Sequence, residues 1–558
     1  MKMLMEFGRH APNRVFAAIL LGACTGIAYA LLIPLIVGAV AVNPSAPQAA
    51  VDDILVWGTL EIAKPGFAAA FFALCMVVVF GRALSRILLA QAAGAMTVTL
   101  RSQLSHKITQ APVALIERLG PAHLTAVLTE DVRRVVIGGQ LLPDMLTNGL
   151  TLMSTLGFLY YLNAAVFFFV LKAIVFGIAT YQVPLYLGRR LFQRSRQNYD
   201  ELHEAIRALL FGLKELKLDA IKRRNFFERV LAPRELALVR ADNRAHAVIA
   251  ASLSYGDMIS FLVVGTTAFI FVNYHALQPG ELISIIMVLL YLAGPVAVLL
   301  NTLSPILMAA SSLANIERIT SGVVEEVACH RSAAAPDWQR LQLRQIAYRH
   351  AGDGFAVGPV DMEIAKGEIT FIVGGNGSGK STLAKIISLH YLPTSGGLYF
   401  DTAAVNDHTR EQFRQQISTI YTDYFLFDRL LRDADPVVLA RAADLLQELG
   451  LDGKVTLYDG RFSTTALSDG QRKRLALLVA LLDDKQLYIF DEWAADQDPV
   501  FKDVFYRRIL PAMRLQGKAV VLISHDDRYF DLADVLYVLR DGIVAETVRT
   551  ATPAYRTA

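Results

Sequence analysis

Six long apolar runs occupy the first 320 residues of the chain and determine its organisation. They cover residues 15–42, 66–89, 141–162, 164–187, 248–272 and 282–307. Each reaches the ~20 residues that a helix needs to cross the hydrocarbon core of a bilayer. A signal peptide is the alternative for the first run, but its apolar part would be only about 7–15 residues long. We therefore predict six membrane-spanning helices.

The distribution of basic residues predicts the orientation of these helices. The segment 188–247 carries fourteen lysines and arginines, whereas 43–65 has only Lys64 and 273–281 has none. Basic loops stay on the cytoplasmic side of a membrane. An even number of spans then places both termini in the cytoplasm. The predicted location of the spans is a bacterial-type inner (plasma) membrane.

Two cytoplasmic segments, 90–137 and 188–247, continue the helical pattern of the spans. Each is interrupted near its middle, at 119–121 and at 211–217. We interpret the interruptions as the tips of helical hairpins that contact the rest of the protein; a solvated loop is the alternative.

The pattern changes after residue 320. Residues 321–338 are small and polar, as in a domain linker. Strand-like and helix-like stretches then alternate to about residue 549, which is typical of a mainly parallel sheet with helices on its faces. The predicted fold is multidomain: an α-helical transmembrane domain at 1–320, a linker at 321–338 and an α/β P-loop ATPase domain at 339–558.

Composition agrees with this division. Hydrophobic residues make up 54% of the chain and mean hydropathy is +0.40, with the excess in the first 320 residues. The net charge of +3 is small for 558 residues, so no nucleic-acid partner is predicted. The three cysteines have no spacing typical of a disulfide framework or a zinc site.

A glycine-rich stretch follows the apolar run 369–373 and leads into a helix-like run. Its residues are Gly374, Gly375, Asn376, Gly377, Ser378, Gly379, Lys380, Ser381 and Thr382. This is the G-x-x-x-x-G-K-[ST] pattern in a strand–loop–helix setting. Backbone N–H groups of such a loop surround phosphate oxygens, the lysine reaches the β- and γ-phosphates, and the Ser381 hydroxyl can bind Mg²⁺. The chain is therefore predicted to bind ATP with Mg²⁺.

Two further strand-like runs end in candidate catalytic residues. The run 487–490 ends at Asp491 and Glu492, and the run 519–523 ends at Ser524 and His525. A carboxylate at a strand end can hold Mg²⁺, and the next one can polarise the attacking water. His525 is placed to sense the γ-phosphate. A histidine is often structural, but its position directly after a strand favours the catalytic interpretation.

One motif carries a family resemblance. Leu467-Ser468-Asp469-Gly470-Gln471 resembles the LSGGQ signature of ATP-binding cassette (ABC) transporters, with Asp469 in place of a glycine. Asp498 stands at the position of that family's D-loop, and the six spans match the exporter-type transmembrane domain. The resemblance implies a homodimer of half-transporters, in which ATP lies between residues 374–382 of one subunit and 468–471 of the other.

A narrower resemblance bears on the cargo. The stretches 491–499 and 524–530 are similar to those of cyclic-peptide exporters, which include exporters of pyoverdine- and syringomycin-type peptides. This implies ATP-driven export of a cyclic or siderophore-like peptide, or another small amphipathic cargo. A lipid or multidrug exporter, an importer with the same architecture, and an ATP-gated channel or receptor are the alternatives. The presence of both Glu492 and His525 argues against the last.

Two departures from the family pattern leave alternatives open. Where most ABC proteins have a glutamine beyond the phosphate loop, this chain has Thr422 followed by Asp423, and either could contact Mg²⁺ or water. A carboxylate is the stronger ligand for a hard cation. The aromatic ring that stacks on adenine could come from Tyr348 or from His350.

The membrane spans contain three candidate cargo residues. Lys172 lies in the middle of its run, where a charged side chain is costly in lipid, so we expect it to line a central cavity or to contact another helix. Asp257 lies nearer the cytoplasmic end of its span and, with Tyr255, is a weaker candidate for the same path.

Overall fold

A computed structural model describes residues 12–40, 54–57, 60–63, 65–271, 279–322, 326, 337–350 and 355–550. The chain forms two compact units. The first comprises Met1–Leu104 and Thr125–Ile319, and the second comprises Ser105–Leu124 and Thr320–Ala558. The segment 105–124, which lies within the predicted 1–320 domain, thus belongs to the same unit as the C-terminal residues.

The first unit is built from helices, apart from one short hairpin of β1 (Ile54–Trp57) and β2 (Leu60–Ala63). Its long helices are α1 (Pro12–Val40), α2 (Pro65–Thr109), α6 (Leu142–Leu162), α7 (Ala164–Phe211), α10 (Ala232–Gly265) and α11 (Pro279–Gly322). Shorter helices join them: α3 (Val113–Leu119), α4 (Pro121–Ala126), α5 (Val132–Gln140), α8 (Leu213–Leu218) and α9 (Ala220–Phe226). Helix α2 continues into the second unit, which includes residues 105–124 and therefore all of α3. Among the described residues, the six predicted runs coincide with the long helices, and the fifth run continues from α10 into the π-helical turn Thr266–Phe271.

Three of these helices are long and apolar enough by themselves to cross a membrane, at Pro12–Val37, Pro65–Thr109 and Glu281–Gly322. Within the described residues, shorter apolar helical stretches lie at Ala164–Thr180 and Phe261–Ile270. Helix α6 is less apolar because polar side chains follow one of its faces.

That polar face of α6 is covered by α1. The Thr151 hydroxyl donates to the Gly26 carbonyl at 3.1 Å, and the Thr147 hydroxyl donates to the Gly22 carbonyl at 3.3 Å. A Cβ atom on Gly26 would lie 2.7 Å from the Thr147 carbonyl oxygen. Small residues let the two backbones approach closely. Because lipid is as apolar as the helix side chains, helices in a membrane associate through such close packing and through hydrogen bonds.

The second unit contains two larger sheets. The strands are β3 (Arg340–Arg349), β4 (Ala356–Ala365), β5 (Ile369–Gly374), β6 (Ser395–Phe400), β7 (Ala403–Ala404), β8 (Ile417–Ile420), β9 (Leu457–Tyr458), β10 (Arg461–Phe462), β11 (Leu487–Asp491), β12 (Ala519–Ile523), β13 (Val535–Arg540) and β14 (Ile543–Arg549). The larger sheet has the order β14-β13-β5-β12-β11-β8, with only β14 antiparallel. The smaller is antiparallel, in the order β4-β3-β6-β7.

Helices cover the sheets of this unit. They are α12 (Lys380–Ile387), α13 (Arg410–Arg414), α14 (Pro436–Glu448), α15 (Asp469–Leu482), α16 (Pro499–Val504) and α17 (Leu510–Leu515). Strands β11 and β12 are buried along their whole length, as expected for central strands covered on both faces. Strands β5, β12 and β11 are parallel neighbours, so their carboxyl ends meet at one edge of the sheet.

Candidate functional site

The glycine-rich loop connects β5 to α12 and turns tightly. Gly379 has φ 96°, and a Cβ there would lie 2.7 Å from a methyl carbon of Val357. A Cβ on Gly374 would lie 2.3 Å from the Leu539 carbonyl oxygen. Only glycine fits these two positions, and the resulting turn directs the first N–H groups of α12 into the loop, where an anion binds.

Lys380 lies inside this loop. Its side chain is buried, and Nζ donates to the carbonyl oxygens of Gly374 and Gly375, both at 2.9 Å. A buried ammonium needs partners. Phosphate oxygens entering the loop would provide stronger, charge-assisted bonds than these neutral carbonyls.

Asp491, at the end of β11, has the properties of a magnesium ligand. It is 2% exposed, and its Oδ1 atom has no hydrogen-bond partner in the described structure. Burial raises the pKa of Asp491; the charges of Glu492 and Asp423 act in the same direction, against a hydrogen bond from Ser381 and the charge of Lys380. A bound cation would give the unpartnered Oδ1 atom a partner and would offset the local negative charge.

The donors around this position are oxygens, which suit Mg²⁺. Within the described part of the chain, no group of three or more His, Cys, Asp or Glu residues could hold a metal by itself. Mg²⁺ is usually bound by one or two carboxylates together with substrate phosphates. Ser381 and Asp491 would therefore hold it jointly with the nucleotide, which supplies the remaining oxygens.

Glu492 and His525 face each other across the same edge of the sheet. Glu492 has φ 50°, a conformation uncommon for a residue with a side chain, and its N–H donates to the Ile523 carbonyl at 3.0 Å. His525 Nε2 lies 3.2 Å from Glu492 Oε1, and both side chains are partly exposed. The unusual backbone turns the carboxylate away from the strand axis and towards the histidine, in the manner of strained residues at active sites.

Asp423 follows β8, the strand next to β11. Its charge acts on Asp491 and also on Tyr391, raising the pKa of both groups. The start of its loop is anchored because the Tyr421 hydroxyl lies 2.5 Å from Ser388 Oγ and 2.7 Å from His390 Nδ1. Burial raises the pKa of Tyr421 to about 12, so this anchor stays uncharged.

The two candidate adenine-binding rings have different surroundings. The Tyr348 ring stacks on Tyr391 with centroids 4.8 Å apart. His350 instead places Nε2 3.2 Å from Thr382 Oγ1, at the start of α12. One face of Tyr348 is therefore already covered, whereas His350 adjoins the phosphate loop.

The signature stretch begins helix α15. The Ser468 side chain and Gln471 form a reciprocal cap at its start, and Asp469 pairs with Arg472. The Gly470 carbonyl accepts a hydrogen bond from Gln497 at 3.0 Å. In the described structure, no hydrogen bond or ion pair joins residues 468–471 to residues 374–382.

Asp498 caps helix α16, where its carboxylate accepts from the Phe501 N–H at 2.9 Å. It is also paired with Arg474, whose guanidinium lies over the Phe501 ring at 3.8 Å from the centroid. The hydrogen bond from the Phe501 N–H and the charge of Arg474 lower the pKa of Asp498. Asp498, which is predicted to be the D-loop aspartate, is thus held ionised and in a fixed direction.

Helix α3, the first predicted hairpin tip, contacts this site directly. The Glu117 carboxylate accepts from Lys385 Nζ at 2.8 Å and from the Tyr391 hydroxyl. Burial opposes ionisation of Glu117, but these hydrogen bonds and the Lys385 charge lower its pKa overall. Through Tyr391 the contact continues to Tyr348 and then to His350, whose ring centroid lies 5.1 Å from that of Tyr348. The sequence contains no local signal for a pairing across so many residues.

The candidate cargo residues lie on two helices of the first unit. Tyr255 lines an apolar cavity of about 90 Å³ between α7, α10 and α11, together with residues such as Gly177 and Ile259. Lys172 is exposed and does not line it. Asp257 lies on α10, but its side chain is outside the part of the chain that the structure describes.

Comparison with known proteins identifies the family. Residues 357–495 match the family model described as ABC transporter. The chain is 32% identical over 473 residues to the ATP-binding protein SyrD of Pseudomonas syringae pv. syringae, covering 82% of this chain and 84% of that protein. The chain belongs to the ABC transporter family.

Two further similarities extend over most of this chain. An ATP-dependent lipid A-core flippase of Ralstonia nicotianae is 25% identical over 480 residues, which is 80% of this chain and 78% of that protein. The structure of a bacterial Atm1-family ABC exporter with ATP bound superposes with a TM-score of 0.76 over 97% of this chain and 95% of that chain, at 17% identity. The predicted fold class is therefore confirmed, and the chain is an ABC exporter that couples ATP hydrolysis to transport.

Proposed function

We propose that the chain is half of a homodimeric exporter, located in a bacterial inner membrane with both termini in the cytoplasm, that moves a cyclic or siderophore-like peptide. Similarity to SyrD over most of both chains, together with the motifs at 491–499 and 524–530, carries the proposal. The exporter fold, with one helical unit and one ABC ATPase domain in the chain, supports a dimer. Each subunit would then complete the nucleotide site of the other.

In this proposal the site residues have distinct roles. Lys380 and the loop hold the phosphates, Ser381 and Asp491 hold Mg²⁺, Glu492 polarises the attacking water, and His525 contacts the γ-phosphate. Asp423 takes the place of the family's glutamine, since its charge acts on the Asp491 carboxylate. ATP binding would close the two cassettes on each other, and hydrolysis would separate them.

The cargo can be identified by an experiment that makes no assumption about its chemistry. Native mass spectrometry of the purified protein should detect two copies of the chain and a co-purified peptide. ATPase activity in phosphatidylcholine nanodiscs should then rise with cyclic lipopeptides and not with lipid A. The flippase relatives favour the opposite result, a lipid cargo, which stimulation by lipid A alone would establish.

His350 is expected to stack on adenine. Replacing it by alanine should weaken ATP binding several-fold, because stacking of a base on an aromatic ring contributes roughly 1–3 kcal/mol. Tyr348→Ala is the matched control: it removes a ring already packed on Tyr391 and should lower thermal stability more than ATP affinity. Titration with a fluorescent ATP analogue measures ATP affinity in both variants, and a thermal melt measures their stability. A large loss of affinity in the Tyr348 variant alone would reverse the assignment.

Glu117 is expected to couple the cassette to helix α3. Glu117→Gln removes a charge-assisted contact with Lys385 and should reduce the stimulation of ATPase by cargo several-fold while ATP affinity is retained. Arg118→Gln, on the same helix, should leave the stimulation unchanged. Equal stimulation in the wild type and in Glu117→Gln would exclude the role.

The contact has a predictable pH dependence. Because the folded protein lowers the pKa of Glu117, the contribution of the contact to stability is complete above the ordinary value of 4.5. It is lost only as the pH falls through the lowered value, so the contact is intact at neutral pH.

A further inference from the structure

Two arginines and one aspartate meet inside the helical unit, on spans predicted to lie in the membrane. Arg82 and Arg86 lie on α2, and Asp144 lies near the start of α6. The group carries two positive charges and one negative charge. Charged residues within spans are rare and mark functional positions by default.

Asp144 already accepts hydrogen bonds from one of the two arginines. Arg86 Nε and Nη2 both donate to Asp144 Oδ1, at 3.1 and 2.7 Å. Arg82 Nη2 is 3.9 Å from the same oxygen, beyond hydrogen-bond distance. Asp144 is therefore hydrogen-bonded to Arg86, whereas Arg82 is only the more distant member of an ion pair with the same oxygen, and one carboxylate faces two positive charges.

Arg82 also has an unsatisfied donor. Its Nε atom is buried and has no hydrogen-bond partner among the described residues, although 37% of the side chain as a whole is accessible. A guanidinium presents its donors in a planar fork that fits a carboxylate or a phosphate. A buried N–H of this kind is costly to leave unpaired, so it favours a ligand that can accept from it.

The depth of the cluster follows from helix geometry. Arg82 lies roughly 26 Å along α2 from Pro65, and Asp144 lies roughly 27 Å along α6 from Leu162, at 1.5 Å per residue. The hydrocarbon core of a bilayer is ~30 Å thick. With the orientation given above, the cluster lies at the cytoplasmic edge of the core.

The direction of the Arg82 side chain can be inferred from helix geometry. Side chains of a helix tilt towards its N-terminus, and the N-terminal end of α2 lies on the outer side in this orientation. We therefore expect the Arg82 side chain to be directed away from the nearby cytoplasmic surface and towards the membrane.

We propose that Arg82, Arg86 and Asp144 form a binding site for the anionic group, carboxylate or phosphate, of an amphipathic molecule held at the inner edge of the membrane. Arg82 is the anchor of the site, Arg86 adds positive charge, and Asp144 limits the affinity so that the ligand can leave. This rests on the proposed function, since it gives the cargo a negative charge.

The test uses the full-length protein in phosphatidylcholine nanodiscs and two probes, a fluorescent acyl-peptide with a free terminal carboxylate and the same peptide as its amide. The wild type should bind the carboxylate form at least about 5-fold more tightly than the amide. Arg82→Gln should abolish this preference, because it brings the charge of the cluster to zero. Arg133→Gln, which removes a surface arginine paired with Glu130, should leave the preference intact.

Asp144→Asn distinguishes a binding site from a structural ion pair. It removes the carboxylate that pairs with the arginines and should strengthen binding of the carboxylate probe. The change in affinity should thus be opposite in sign to that caused by Arg82→Gln. A shift in the same direction for both variants would overturn the proposal. If Arg82→Gln does not fold, Arg86→Gln answers the same question, because it also leaves no net charge.

A second arm identifies the source of the anion. Nanodiscs containing phosphatidylglycerol should compete with the carboxylate probe if the site takes a lipid phosphate, and should not compete if it selects the peptide. Failure of the wild type to distinguish carboxylate from amide would overturn the anion site and leave the dimer and ATPase proposals standing. Absence of stimulation by any peptide, with the preference intact, would remove the peptide cargo alone.

Discussion

Replacing Glu492 by glutamine is expected to lower ATP turnover at least about 100-fold while ATP binding persists, because a positioned general base contributes roughly 10²–10⁴-fold to a rate. Glutamine has nearly the same shape but cannot accept a proton from water. The main-chain bond from Glu492 N–H to Ile523 does not depend on the side chain, so the local fold should be retained.

The measurement is phosphate release under saturating ATP, with nucleotide binding followed separately. Glu546→Gln is the matched control, since Glu546 is an exposed carboxylate on β14. We expect wild-type turnover in the control and a nucleotide-bound dimer that accumulates in the Glu492 variant. Near-normal ATPase activity in Glu492→Gln would refute its assignment as the base.

Removing the Lys380 ammonium is expected to weaken ATP binding by about 10-fold or more, since hydrogen bonds to a charged group contribute roughly 1.5–3 kcal/mol. The side chain is buried in the loop. Lys380→Ala should therefore lose transport and hydrolysis together, unlike Glu492→Gln, which retains binding.

Isothermal titration with ATP tests this prediction. Lys454→Ala removes an exposed lysine of the same unit and should bind ATP as the wild type does. A thermal melt without nucleotide checks folding, because Lys380→Ala also removes the ammonium that donates to the carbonyls of Gly374 and Gly375. Unchanged affinity in a folded Lys380 variant would contradict the phosphate-binding role.

The nucleotide site was the most predictable part of the molecule. Its motifs lie directly after three buried strands, and strands β5, β12 and β11 are parallel neighbours. A parallel sheet brings the carboxyl ends of its strands to one edge, so local patterns were enough to place Lys380, Asp491 and His525 together. The pairing of His525 with Glu492 at 3.2 Å follows from that arrangement.

The membrane part was predictable in outline only. Apolar runs gave the positions of the long helices, because burial of apolar side chains in lipid leaves a strong signal over ~20 residues. The contact of Thr147 and Thr151 with α1, and the pairing of Asp144 with Arg86, involve residues far apart in the chain.

The sequence by itself determined which residues are predicted to bind and hydrolyse ATP and which stretches form long apolar helices, because both depend on short-range order along the chain. Tertiary structure alone decided that Glu117 reaches Lys385 and Tyr391, that Tyr348 is covered while His350 adjoins Thr382, and that the Nε atom of Arg82 has no hydrogen-bond partner among the described residues. These contacts join distant segments, and a long-range pairing is fixed only when the whole chain packs.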